Sequence, residues 1–185
     1  MGAGAILERD EIERRAAALD WLLLDVDGVM TDGRLVYDGE GERQKAFHVR
    51  DGLGLKLAQK AGLKVGILSG RENAALGKRA QELAIDRVIL DRSDKGHAFA
   101  EFLEEVGTAP ERVAYIGDDL ADLAVILRCG LSFAPADAVP EVASRVDWLL
   151  ELPGGGGAVR EMCEVILKAR RDWERLVRPF VSGGL

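Results

Sequence analysis

Asp25 and Asp27 stand at the end of an unbroken apolar run, Trp21-Leu22-Leu23-Leu24, with one valine between them and Gly28 behind. Carboxylates are rarely buried without a partner, so a buried strand that runs into two of them suits a cation site better than a core. The same layout recurs twice. Val65-Gly66-Ile67-Leu68 runs into Ser69-Gly70-Arg71, and Val113-Ala114-Tyr115-Ile116 runs into Gly117-Asp118-Asp119. Several carboxylates converging on one edge repel one another unless a cation neutralises them. An all-oxygen ligand set favours a hard ion, magnesium first. Magnesium held by few protein ligands commonly shares its coordination with phosphate. Ser69 and Lys95 then supply a hydroxyl and an ammonium for phosphoryl oxygens. With Asp25 as nucleophile, attack on phosphorus gives an aspartyl-phosphate, and Asp27 protonates the departing alkoxide and later activates water.

The elements that must position these residues follow from hydrophobic periodicity and punctuation. Residues 6–19 predict an amphipathic helix and residues 21–26 a buried strand. Within 34–49, two short runs, 35–37 and 46–49, flank Asp38-Gly39-Glu40-Gly41, which predicts a β-hairpin insertion. Then come a helix over 53–61 ended by Gly62, a strand over 65–68, a helix over 73–83 and a strand over 87–90. Asp94 or Ser93 caps a helix over 95–106, followed by a strand over 113–116 and a helix over 120–127. Residues 131–134 and 146–150 predict two further strands, 158–176 the last helix, and 178–185 a loose tail. This alternation predicts an α/β fold with a doubly wound parallel sheet. Residues 1–20 form an N-terminal helix, 21–177 a single domain with the hairpin at 34–49, and 178–185 the tail. In such sheets ligands bind beyond the carboxyl ends of the strands, where Asp25, Asp27, Ser69, Asp118 and Asp119 all fall.

The 185 residues suffice for one domain with a substantial core. A composition of 48% hydrophobic and 31% charged residues is that of a folded globular chain. The net charge of -7 argues against nucleic acid or an anionic membrane as partner. Cys129 and Cys163 show neither zinc-ligand spacing nor a disulfide framework and read as packing thiols. With acidic residues where a signal peptide needs an apolar core, a cytoplasmic location is expected.

The motifs Asp25-Val-Asp27-Gly-Val, Ser69, Lys95 and Gly117-Asp118-Asp119-x-x-Asp122 resemble, in order and spacing, those of the haloacid dehalogenase superfamily. The resemblance implies a Rossmann-like fold without a large cap domain and a magnesium-dependent phosphomonoesterase. In it Asp25 is nucleophile, Asp27 is general acid/base and offers its backbone carbonyl to the metal, and Asp118 is the third ligand. Asp119 and Asp122 stand behind and orient Lys95, while Ser69, Gly70, Arg71 and Lys95 bind substrate. Phe47-x-x-x-Asp51-Gly52-x-Gly54 and Gly154-Gly155-x-Gly157-Ala158-Val159-Arg160-Glu161 narrow the resemblance to the phosphatases of 3-deoxy-D-manno-octulosonate 8-phosphate, a sugar acid destined for lipopolysaccharide. That family implies a homotetramer built through the hairpin, with neighbouring chains closing one another's sites. A phosphatase for another sugar phosphate, such as a nine-carbon sialic-type acid, is the runner-up.

Other residues keep two readings. Ser69 and Gly70 combine a helix N-cap with anion contact. Arg71 is a bidentate anion ligand or a surface ion pair; Arg50 and Arg160 are weaker versions of the same choice. His48 reads as a hairpin side chain and His97 as a helix-surface residue. The glycine run at 154–157 is a flexible linker or a loop whose amides approach substrate. Trp173 and Phe180 pack, or carry a tail onto a neighbouring site. Two non-enzymatic readings compete: a catalytically silent scaffold and a receiver domain. A receiver carries its phosphoacceptor after the third strand, whereas here the acids follow the first and fourth.

Overall fold

Every residue of β2 (Trp21–Leu24) is buried, because the strand lies mid-sheet with helices on both faces. Side chains alternate along it as a strand requires: Leu22 and Leu24 join one core, Trp21 and Leu23 the other. β7 (Val113–Ile116) repeats the division, with Ala114 and Ile116 on the first side and Val113 and Tyr115 on the second. Burying each leucine contributes about 2 kcal/mol.

The computed structural model describes residues 4–5, 7–39 and 41–183. The main sheet has seven strands, with β7 and β2 side by side near its middle. Its further strands are β1 (Gly4–Ala5), β5 (Lys64–Leu68), β6 (Arg87–Ile89), β8 (Leu131–Ala134) and β9 (Trp148–Leu149), and the order across it is β1-β9-β8-β7-β2-β5-β6. All six strands from β9 to β6 are parallel, and β1 adds an antiparallel edge. One face is covered by α1 (Arg9–Ala18), α2 (Val49–Lys60), α3 (Ala74–Leu83) and α7 (Ala158–Ala169). The other is covered by α4 (Lys95–Val106), α5 (Leu123–Ile126) and α6 (Pro140–Ala143). The doubly wound α/β expectation therefore holds. Among the described residues no helix is long and apolar enough to cross a membrane.

Several expectations need correction. The insertion is a two-stranded ribbon, β3 (Val36–Asp38) with β4 (Gly41–Gln44), so the second strand lies earlier than 46–49; turn residue Glu40 lies outside the described residues. Phe47 leaves the ribbon to pack on the main core beneath the Arg79 guanidinium, 6.0 Å from its ring. Val49 instead opens α2, which starts four residues before the predicted 53. The N-terminal helix begins at Arg9; Ile6 lies outside the described residues. The segment over 120–127 opens as a single 3-10 turn, Leu120–Asp122, before α5.

The predicted last helix is two helices. α7 stops where Arg171 adopts φ 63° and Asp172 N bonds Leu167 O at 2.9 Å, a Schellman closure. α8 (Trp173–Ser182) then extends through most of the stretch read as a loose tail. Leu176 holds it, buried against Leu57 and Leu167 with Trp173 alongside. Residues 184 and 185 lie outside the described residues.

Candidate active site

Asp25 and Ser69 follow directly on β2 and β5, and Asp118 follows β7 after Gly117; these three strands are adjacent, so the residues reach one edge of the sheet. Asp25 N still pairs with Ile116 O at 3.1 Å, carrying the ladder one residue past β2. The chain then turns sharply: Val26 O accepts from the amides of Val29, Met30 and Thr31 and from Thr31 Oγ1. Gly28 sits in that turn at φ 86°, where a side chain would be strained. Lys95 arrives from the far side as the first residue of α4, whose N-terminus Asp94 caps by accepting from His97 N at 2.9 Å. Together these residues line a cleft of about 520 Å3 that also includes Gly33, Leu35, Gly70, Arg71, Ser93, Asp119, Ala121 and Asp122.

The Lys95 ammonium bridges two buried acids, 2.7 Å from Asp25 Oδ1 and 2.6 Å from Asp122 Oδ1. Asp122 is fully occupied. Oδ1 also accepts from the Tyr115 hydroxyl at 2.6 Å, and Oδ2 accepts from the amides of Asp118 and Asp119 at 2.9 and 3.1 Å. Gly117 makes room for it, since a Cβ there would stand 2.4 Å from Asp122 Cγ. Asp119 is different from the expectation: it is exposed, its Oδ1 accepts from Leu120 N at 2.7 Å, and orienting Lys95 falls to Asp122. The Asp119 carboxylate is used to cap the turn it precedes.

Oxygens of Asp25, Asp118 and Asp122 lie within 4.8 Å of one another. Because Asp122 is saturated by protein donors, Asp25 and Asp118 are the pair able to hold an ion. Asp118 Oδ1 is buried with no hydrogen-bond partner among the described residues, a costly state that a cation would relieve. Burial, with Asp25 and Asp122 nearby, pushes the Asp118 carboxyl up to about 8. Burial also raises Asp25 to about 6 despite the opposing Lys95. The Lys95 ammonium is raised by Asp25 and Asp122, which together outweigh its desolvation. An acidic, oxygen-only, underneutralised pair fits a hard divalent cation.

Asp27 is paired with Lys45, whose side chain is almost entirely buried beside it. Ser69 Oγ accepts from Arg71 N at 3.2 Å and donates to Arg71 O at 3.1 Å, fixing the turn that aims Arg71 toward the cleft. The Arg71 guanidinium donates to the Tyr37 hydroxyl of the ribbon at 3.3 Å. Asn73, rather than Ser69, caps α3, accepting from Ala75 N at 2.8 Å, so Ser69 and Gly70 precede the helix end.

Other candidates fall elsewhere. Arg50 and Arg160 line a separate cavity of about 560 Å3 with Glu151, Glu161 and Glu164, and Arg160 is paired to Glu164 at 2.9 Å. His97 is an exposed partner of Glu101, and His48 precedes α2. Trp173 packs under Arg160 and Lys168. Cys163 is buried in the core and Cys129 packs at its edge, as the packing reading expects, and burial pushes both thiols up, Cys129 to about 12. The Phe47 to Gly54 motif serves the α2–α7 seam: Asp51 Oδ1 accepts from Arg160 N at 2.8 Å, and a Cβ on Gly54 would meet Arg160 Cα at 3.1 Å. The glycine run is packed rather than a free linker: Gly154 N bonds Asp137 Oδ1 and Gly155 N bonds Val29 O, while Gly157 lines the cavity of Arg50 and Arg160. Sequence reasoning missed Lys45 and Tyr115. A phenol inside a wholly buried strand signals a buried acceptor, whereas Lys45 lies in a polar run with no such mark.

Residues 87–159 match the model of the haloacid dehalogenase-like hydrolase family. The chain is 43% identical over 159 residues to the 3-deoxy-D-manno-octulosonate 8-phosphate phosphatase of Haemophilus influenzae, covering 86% of this chain and 88% of that one. The crystal structure of the Yersinia pestis phosphatase of the same name superposes with TM-score 0.85 at 42% identity, covering 89% of each chain. The Moraxella catarrhalis phosphatase in complex with magnesium, phosphate and KDO superposes with TM-score 0.90 at 35% identity, over 94% of this chain and 99% of that one.

Proposed function

Because the chain belongs to the 3-deoxy-D-manno-octulosonate 8-phosphate phosphatases, enzymes of the haloacid dehalogenase-like class and phosphoric monoester hydrolases, we propose that it hydrolyses that sugar-acid phosphate through an aspartyl-phosphate on Asp25. The observation that carries this reading is the buried Lys95 bridge between Asp25 and Asp122 beside the orphaned Asp118 oxygen. It leaves one Asp25 oxygen for attack and one acid for a cation.

Asp25 and Asp118, with the Asp27 carbonyl, would hold magnesium, which when bound would supply positive charge to the phosphoryl oxygens. Lys95 keeps Asp25 ionised and oriented, and with Ser69 it binds phosphoryl oxygen. Asp25 Oδ2 forms a bond to phosphorus as the ester P–O bond breaks, and Asp27 delivers its proton to the departing alkoxide. Asp27 then takes a proton from water, whose oxygen attacks phosphorus. The bond from phosphorus to Asp25 breaks, releasing phosphate and restoring the Asp25 carboxylate and the protonated Asp27. Arg71, which lines the cleft and donates to Tyr37, is the residue in this reading that binds the substrate carboxylate or phosphate.

Residues 21–177 carry the catalytic residues, with α1 and α8 packed onto the same body, in a cytoplasmic enzyme whose product is destined for lipopolysaccharide. A homotetramer is supported by the ribbon itself: two strands alone are marginal, and Val36 and Tyr37 are 49% and 59% exposed on it. A partner chain would cover them. The test is phosphate release with magnesium from 3-deoxy-D-manno-octulosonate 8-phosphate beside a nine-carbon sialic-type acid 9-phosphate. Preference for the eight-carbon substrate supports the reading; preference for the nine-carbon one moves the assignment to it.

A further inference from the structure

The glycine-rich loop at 153–157 is seated on the turn that follows Asp27. Gly155 N donates to Val29 O at 3.0 Å. A Cβ on Gly154 would stand 1.8 Å from Gly28 O, and one on Gly155, at φ 63°, 2.5 Å from Asp32 N. Gly154 N in turn donates to Asp137 Oδ1 at 2.9 Å. Asp137 lies on the exposed turn after β8, and two residues later Val139 N donates to Asp118 O at 3.0 Å. Asp118 closes the circuit, because a Cβ on Gly28 would lie 2.0 Å from its Oδ2. Gly28, Asp118, Val139, Asp137 and Gly154 thus form a ring of contacts behind the cleft.

We propose that Asp137 is a positioning residue: by holding Gly154 N, its carboxylate fixes the spacing between the loop bearing Asp25 and Asp27 and the loop bearing Asp118. The need is physical. Asp25 and Asp118 repel each other, and a cation site is strong only if their spacing is set before the ion arrives, by groups that do not themselves touch it. Backbone hydrogen bonds across three loops do this, and the glycines permit the close approach. Asp137 is the one side chain in the ring that is neither in the cleft nor in the core, so its removal loosens the ring without emptying either.

This inference rests on the reading that Asp25 and Asp118 hold the metal. The test is calorimetric titration of magnesium into the metal-free wild type, Asp137→Ala and Asp137→Asn, with folding checked by circular dichroism. Asp137→Ala is expected to weaken magnesium binding about tenfold while leaving kcat at saturating magnesium within about twofold. Asp137→Asn, whose amide oxygen can still accept from Gly154 N, should bind close to wild type. Unchanged magnesium affinity in Asp137→Ala overturns the proposal, as does equal weakening in Asp137→Asn, which would indicate charge rather than the hydrogen bond. Should Asp137→Ala not fold, Val139→Pro decides by the same readout; it deletes the amide bonded to Asp118 at φ -60°, which proline adopts. A wild type that binds no magnesium overturns the metal reading itself, whereas intact wild-type binding indifferent to these variants overturns this proposal alone.

Discussion

Lys95 Nζ lies 2.7 Å from Asp25 Oδ1, and both side chains are more than nine-tenths buried. In a setting this dry the ammonium is the main force keeping the Asp25 carboxyl ionised, against desolvation that raises it to about 6. Lys95 itself is held at a first helical turn, an unfavourable end for a cation, by the saturated carboxylate of Asp122.

Replacing Lys95 by methionine keeps the stem and removes the charge from between two acids. Breaking a buried pair from one side costs about 3–5 kcal/mol, lessened here because Asp25 can protonate. The expected outcome is a lower denaturation midpoint together with a fall in kcat of at least about a thousandfold, since a transition-state charge contact is lost as well. Steady-state kinetics beside urea unfolding checks it; a Lys95→Met enzyme retaining wild-type kcat would remove Lys95 from the reaction.

Asp118 gives the metal-free protein a pH signature. Its folded pKa of about 8 lies above its ordinary 3.8, so between those values the folded state binds more protons than the unfolded state. Stability then falls as pH rises: the contribution is complete below the unfolded value and lost as pH climbs through about 8. The chelated wild type should therefore lose thermal stability from mildly acidic to alkaline pH more steeply than chelated Asp118→Asn. Saturating magnesium should flatten the wild-type profile. Parallel profiles for the two proteins without metal would contradict the assignment.

Lys45 reaches Asp27 from the base of the ribbon. Lys45→Met should leave the sheet intact, because the residue belongs to no core cluster, yet lower kcat about tenfold by releasing the proton-transferring carboxylate from its set position. The informative comparison is kcat against KM at saturating magnesium. A change confined to KM would make Lys45 a substrate contact instead of a support for Asp27.

The site was legible in the sequence to the extent that its residues sit at strand ends. Asp25, Ser69 and Asp118 each follow an apolar run, and parallel pairing of β2 with β5 and β7 brings such ends together. Roles that depend on which oxygen is already occupied were not legible. Asp119 and Asp122 look alike in the chain, yet Asp122 is buried under Lys95 and Tyr115 while Asp119 caps its own turn. The ribbon register was misplaced because the apolar residues of 46–49 belong to the main core and α2, leaving polar Gly41–Gln44 to form β4. The tail was misread because the contact that orders α8, Leu176 on Leu57, joins residues far apart in the chain.

The central claim is that Asp25 attacks phosphorus. The most direct measurement is to quench the enzyme with acid during turnover in magnesium, reduce it with borohydride, which converts an acyl phosphate to the alcohol, and map the modified residue by mass spectrometry. The account predicts homoserine at position 25, dependent on substrate and absent from Asp25→Asn protein, which should also release no phosphate. Modification at another residue, or magnesium-dependent phosphate release by Asp25→Asn, would contradict it.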